Sequence, residues 1–166
     1  MTDFIIRPWR EADTAELGEL FRKSVREVAS RDYRPAQIEA WAAAPGDIAA
    51  WQDRMQLRVV FVAEQAGRLI GFIQYEPPDH IDMTYVHPQT QRMGVASALL
   101  ASLEAEAKRR GVALLNVEAS ITSRPFFEAR GFEVIVPQIV TARGQDFLNY
   151  RMSKRLDGPV EPGHCR

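Results

Sequence analysis

The segment Ile81–Leu100, reading IDMTYVHPQTQRMGVASALL, constrains this chain more than any other. A short apolar run ends at Val86, and His87-Pro88 breaks it. A polar turn, Gln89-Thr90-Gln91-Arg92, leads to Gly94 and Ala96. Ala96, Leu99, Leu100, Leu103 and Ala107 then recur at helical spacing, and Gly111 stands where a C-cap belongs. The pattern predicts a strand, a tight turn and a helix from about Met93 to Arg110. Small residues sit where the backbone must approach something closely. Such a helix start directs several unpaired N–H groups at one spot and carries the positive end of the helix dipole. It suits an anion, phosphate above all. The Gly-Lys-Ser/Thr ending of a Walker A loop is missing, and so is the three-glycine dinucleotide fingerprint. The alternative is a strand–helix connection that binds nothing.

The rest of the chain mixes hairpins with helices. Phe4–Arg7 predicts a first strand, closed by Pro8. Asp13 and Glu16 have capping-box spacing before a helix running to about Ala29, with Leu17, Leu20, Phe21, Val25 and Val28 on one face. Pro35 starts a second helical piece with Ile38 and Trp41, and Pro45-Gly46-Asp47 precedes a third with Ile48, Trp51 and Met55. Arg58–Glu64 and Leu69–Tyr75 form a hairpin about Gln65–Arg68. Ile81–Val86 is a fourth strand and Val112–Val117 a fifth. A short helix over 123–130 ends at Gly131, and two strands, about 132–141 and 147–152, close the domain. Hairpins combined with one strand–helix–strand crossover predict an α/β domain of mixed α+β type.

The 166 residues predict one domain over 1–156 and a disordered tail over 157–166. A net charge of −1 argues against nucleic acid as a partner. Cys165 is the one cysteine, so no internal disulfide framework exists, and a thiol so near the end is expected to be incidental. No signal-peptide pattern opens the chain, and no apolar run nears the roughly 18 residues of a membrane span. A cytoplasmic protein without membrane contact is expected.

Two segments carry a family resemblance. Gln91-x-x-Gly94-x-Ala96 resembles the Gln/Arg-x-x-Gly-x-Gly/Ala signature of the GCN5-related N-acetyltransferases (GNAT), which bind acetyl-coenzyme A. Ser120–Phe132, SITSRPFFEARGF, resembles the family's Asn-x-x-Ala-x-x-Phe-Tyr-x-x-x-Gly-Phe segment. Phe126, Gly131 and Phe132 match it, with Phe126 expected to pack inward. Ser120, Ser123 and Phe127 take the Asn, Ala and Tyr positions. The resemblance spans about Phe4 to Leu156. It implies a central, mostly antiparallel sheet of about six or seven strands flanked by about four helices. The strand ending near Val86 and the strand carrying Val117 splay in this family, and the pantetheine arm enters between them. Carried over, the backbone of Tyr85 and Val86 bonds the pantetheine. The turn and helix start, Gln91, Arg92, Met93, Gly94, Val95, Ala96 and Ser97, hold the pyrophosphate. Ser120 and Phe127 meet the thioester end.

In many members the Tyr of the second segment protonates the leaving thiolate. Phe127 has no hydroxyl, so another group or water does so, or the thiolate leaves unassisted; its thiol pKa of about 8.5 makes it a tolerable leaving group. The implied reaction is direct attack of an amine on the thioester, which needs a base and donors for the oxyanion, among them the N–H near Val86. Asp82, expected on the face shared by Thr84 and Val86, is the candidate base; its alternative is a salt-bridged strand carboxylate. His80 is a second base or relay, and Tyr150 a source of the missing hydroxyl. His87 is expected to be structural and His164 uninvolved. Tyr33, Gln74 and Tyr75 are candidates to bind the acceptor; Trp41 and Trp51 read as core. No metal is implied.

The expected function is acetyl transfer from acetyl-CoA to a primary amine of a small molecule. A protein or peptide amine, a non-catalytic acyl-CoA-binding domain and a generic nucleotide-binding module are the alternatives. Dimers are common in the family, which leaves a homodimer open.

Overall fold

The structure is a computed structural model that describes residues 3–44 and 46–156. Pro45 and the expected tail with His164 and Cys165 lie outside the described residues. The chain runs β1 (Ile5–Pro8), α1 (Thr14–Glu27), α2 (Pro35–Ala42), α3 (Ile48–Gln56), β2 (Val59–Gln65), β3 (Arg68–Glu76) and β4 (His80–Val86). It continues through α4 (Val95–Arg109), β5 (Leu114–Ser120), α5 (Arg124–Ala129), β6 (Glu133–Ala142) and β7 (Gln145–Arg155). The described residues thus hold seven strands and five α-helices, the helices matching the five segments named in the sequence, against the four or so that the resemblance implies. Pro35 opens α2 with its φ already helical, and Asp47 caps α3 by accepting from Ala50 N at 2.9 Å.

The expected capping box at Asp13 does not form. Asp13 receives the Arg7 guanidinium at 2.8 Å and accepts from Arg10 N instead, while Glu16 Oε1 accepts from Leu69 N at 2.8 Å. An ion pair and a bond to the sheet outcompete a local cap.

The strands form one sheet in the order β1-β2-β3-β4-β5-β7-β6. Neighbours are antiparallel except β4 and β5, which are parallel. One face packs on α4 and α5 through Ile73, Ile81, Leu99, Leu103, Leu115 and Phe127. The other packs on α1–α3 through Leu17, Phe21, Trp51, Met55, Phe72 and Met83. Each buried Leu or Phe contributes about 2 kcal/mol of transfer free energy. Gly71 marks the tightest approach of sheet to α4: a Cβ there would lie 2.9 Å from Val95 Cγ1.

Two irregularities shape β4. Against β3, Gln74 faces Met83 and Tyr75 faces Ile81, which leaves Asp82 as the extra residue of a bulge. Against β5, the ladder holds only His80 opposite Asn116 and Ile81 opposite Val117. Beyond that rung the two strands part, and Asp82 and Glu118 are the first residues on either side of the opening.

Candidate active site

The opening between β4 and β5 is a cleft of about 590 Å³. Its walls include Asp82–Val86 from β4, Val117, Glu118 and Ser120 from β5, and Phe126, Phe127 and Arg130 about α5. Ser24 and Val25 of α1, Val28 just after it, and Trp41 of α2 also line it.

At one end lies the turn into α4. Gln91 braces it, its Nε2 donating to Val86 O at 2.9 Å. Arg92 and Gly94 both have left-handed backbone, φ +61° and +82°. The glycine holds that conformation without strain, whereas for Arg92 it costs about 1 kcal/mol or more. The first bond within α4 runs from Ala98 N to Gly94 O at 3.0 Å, and no side chain among the described residues caps the helix. The amides of Gly94, Val95, Ala96 and Ser97 therefore have no partner in the helix itself, and the residues bearing them line the cleft. Arg92 and Arg130 line it as well. The Arg130 guanidinium bonds Ser97 Oγ and lies 5.5 Å over the Phe126 ring, placing a cation at this end that sequence reasoning missed. Met93 is 45% exposed and is not in the wall.

Further along, Thr84 Oγ1 is buried without a hydrogen-bond partner. It is the polar atom of this kind, among the described residues, that belongs to a residue of the cleft wall. An unpaired buried hydroxyl costs about 1–3 kcal/mol. Ser120 also lines the cleft and its Oγ pairs with Ser123 Oγ at 3.0 Å. Both phenylalanines pack on the core: Phe127 is 2% exposed and edge-on to Phe132, and Phe126, half-buried, packs against that core and lines the cleft.

Asp82 lines the cleft beside the crossing, but not on the face of Val86. The bulge interrupts the period of two, and Asp82 turns to α3, where Arg54 Nη2 donates to it at 2.8 Å and Arg58 Nε lies 3.8 Å away. Glu118 lines the cleft from β5. His80 does not line it. Its ring contacts Glu118 Oε2 through Nε2 and lies 3.3 Å from Glu76 Oε2 through Nδ1, inside a second cavity behind the crossing. Burial would lower the imidazole's pKa, but the bonds and charges of Glu118 and Glu76 more than reverse this and raise it.

The expected acceptor residues are not in the cleft wall. Tyr75 is fully buried and donates to Pro78 O. Gln74, also fully buried, donates to Arg54 O at 3.4 Å. The Tyr33 hydroxyl donates to Leu148 O at 2.6 Å and accepts from Ile121 N at 3.0 Å, pinning β7 and the end of β5. Tyr150 lies outside the wall too, with the Arg124 guanidinium 4.3 Å over its ring. Instead Trp41 lines the cleft and donates its indole N–H to the Tyr85 hydroxyl at 3.0 Å, while Trp51 is core as read. His87 holds its own turn, accepting from Gln89 N at 3.1 Å.

Comparison with known proteins places this geometry. A family model described as an acetyltransferase (GNAT) domain matches residues 29–154. An uncharacterized N-acetyltransferase of Escherichia coli (strain K12), YafP, is 38% identical over 92% of this chain and 96% of its own. A crystal structure titled as a GCN5-related N-acetyltransferase from Rhodopseudomonas palustris superposes with a TM-score of 0.90 at 34% identity, covering 93% of this chain and 97% of that one. The PaiA N-acetyltransferase of Thermoplasma acidophilum, solved in complex with coenzyme A, superposes with a TM-score of 0.76 at 19% identity, covering 93% and 99%.

Proposed function

The chain belongs to the GNAT acetyltransferase family, and on that premise we propose that it transfers the acetyl group of acetyl-CoA to the primary amine of a small molecule. One observation carries the reading: β4 and β5 part at the Ile81–Val117 rung, and the cleft between them runs to an uncapped helix N-terminus. The two ends suit the two ends of the donor. The amides of Gly94 to Ser97 hold the pyrophosphate, with Arg92 and Arg130 as flanking cations. The unpaired edge of Tyr85 and Val86 bonds the pantetheine as a strand would. Ser120 and Phe127 flank the thioester.

The donor supplies an acetyl group on a good leaving thiol. The chain's residues supply the rest. The ammonium of the acceptor must lose a proton before direct attack, and the two carboxylates at the crossing, Asp82 and Glu118, draw it in. Thr84 Oγ, with no partner of its own, donates to the charge that develops on the reacting group, where Phe127 offers no hydroxyl. Trp41, Val25 and Val28 give the acceptor a compact apolar wall, which supports a small molecule.

Release of free thiol from acetyl-CoA, measured with a panel of small primary amines and one peptide amine, tests the reading. Release with a small amine is the expected result. Release with the peptide alone would move the acceptor to proteins, and tight binding with no release for any amine would make the domain a non-catalytic acyl-CoA binder.

A further inference from the structure

Asp82 and Glu118 flank the opening symmetrically in the ladder, yet their partners differ in kind. Asp82 is tied to Arg54 and Arg58. A guanidinium holds its protons throughout the range in which proteins work, and although the Asp82 carboxylate lies within 4.8 Å of the His80 ring, no hydrogen bond joins the two, so a proton given to Asp82 has no direct onward path. Glu118 is tied to His80, the side chain best suited to accept and release a proton near neutrality. Glu118 also lines both cavities: the cleft, and the second cavity of about 320 Å³ bounded by Glu76, Asp79, His80, Asn116 and Arg151.

Resting on the acetyltransferase reading, we infer that Glu118 takes the proton of the acceptor's ammonium and that His80, oriented by Glu76, carries it through the strand crossing into the second cavity. The N–H bond of the ammonium breaks as an O–H bond forms on Glu118, leaving a neutral amine. The proton passes to His80 Nε2, and the Nδ1 proton leaves on the Glu76 side to water. One proton per turnover takes this route; the second ammonium proton lost in forming the amide goes to the departing thiolate. Glu118 is the catalytic residue, His80 and Glu76 are positioning and relay residues, and Asp82 attracts the ammonium without taking its proton.

The groups facing His80 set when the relay opens. Glu76 from β3, Asp79 from the β3–β4 turn, Asp82 from β4 and Glu118 from β5 favour the imidazolium; Arg58, paired with Glu76, and Arg151, opposite Glu118 on β7, oppose it. The acidic groups prevail, so His80 is charged and the relay closed until the pH rises past the ordinary histidine range.

The test is thiol release as a function of pH in the wild type and in Glu118→Gln, His80→Asn and Asp82→Asn, with calorimetry of acetyl-CoA binding for each. Glu118→Gln should lower kcat about 10²-fold or more with acetyl-CoA affinity unchanged. His80→Asn should lower kcat about tenfold, leave the KM of the amine unchanged and remove the rise of kcat with pH. His80→Ala should regain rate on adding imidazole. Asp82→Asn should raise the amine's KM and keep the pH rise. If the wild type turns over but His80→Asn keeps that rise, or Asp82→Asn loses what Glu118→Gln retains, the relay is wrong and the acetyltransferase reading stands. If the folded wild type releases no thiol with any amine, both fall.

Discussion

Arg54 of α3 donates from Nη2 to Asp82 Oδ2 at 2.8 Å, joining the helical layer to the one residue that bulges from β4. The pair ties a carboxylate of the cleft wall to α3.

Asp82→Asn keeps the volume and removes the charge, which leaves Arg54 without its carboxylate and Arg58 with Glu76 alone. Loss of about 1–2 kcal/mol of stability is expected, less than unpairing a fully buried ion costs because Arg54 keeps some solvent contact. Urea unfolding read by circular dichroism checks it.

Thr84→Val replaces the unpartnered hydroxyl with a methyl of the same shape. Removing an unpaired buried polar atom is neutral or stabilising, so the melting temperature should stay level or rise. If the hydroxyl serves the reacting group, kcat should fall about tenfold or more in the same variant. A variant that melts higher and turns over as fast as the wild type would remove Thr84 from the mechanism.

Gly71→Ala places a Cβ 2.9 Å from Val95 Cγ1 and 3.2 Å from Tyr85 O, at the joint between β3, the cleft edge of β4 and the first turn of α4. Overpacking of this kind costs about 1–3 kcal/mol. Because Val95 carries one of the unpaired amides, acetyl-CoA affinity should weaken alongside stability. Thermal unfolding and calorimetry on the same preparation read both.

Stability should depend on pH through His80. Its folded pKa lies above its unfolded value, so its stabilising contribution is complete below the ordinary histidine range and is lost as pH rises through the folded pKa. His87 runs the other way: burial, with Lys23 nearby, lowers its folded pKa, so its contribution is lost as pH falls. The difference between wild type and His80→Asn isolates the first effect. Unfolding free energies from denaturant titrations across the histidine range should converge for the two proteins at the alkaline end.

The stretch from Ile81 to Arg110 was legible because its signals are local: an apolar run, a Pro break, a glycine in left-handed conformation and a helical stripe follow one another in the chain. The cleft residues of the turn and of α4 came with it. Glu118 was not legible. In sequence it is one charge in an apolar strand, and its meeting with His80, 38 positions away, exists only because β4 and β5 cross in parallel. The bulge likewise has no sequence signature, and it turned Asp82 away from the face that a regular strand would give it. Tyr33, Gln74 and Tyr75 looked available as polar groups near breaks and strand ends, but all three are buried, with their polar atoms bonded to β7, α3 and the β3–β4 turn.

Calorimetric titration of the purified protein with acetyl-CoA, with ATP as the control, tests the central claim most directly. One-site micromolar binding of acetyl-CoA, with no comparable heat from ATP, is the expected result. No binding, or equal binding of ATP, would contradict it and leave the Gln91–Ala96 turn as a strand–helix connection.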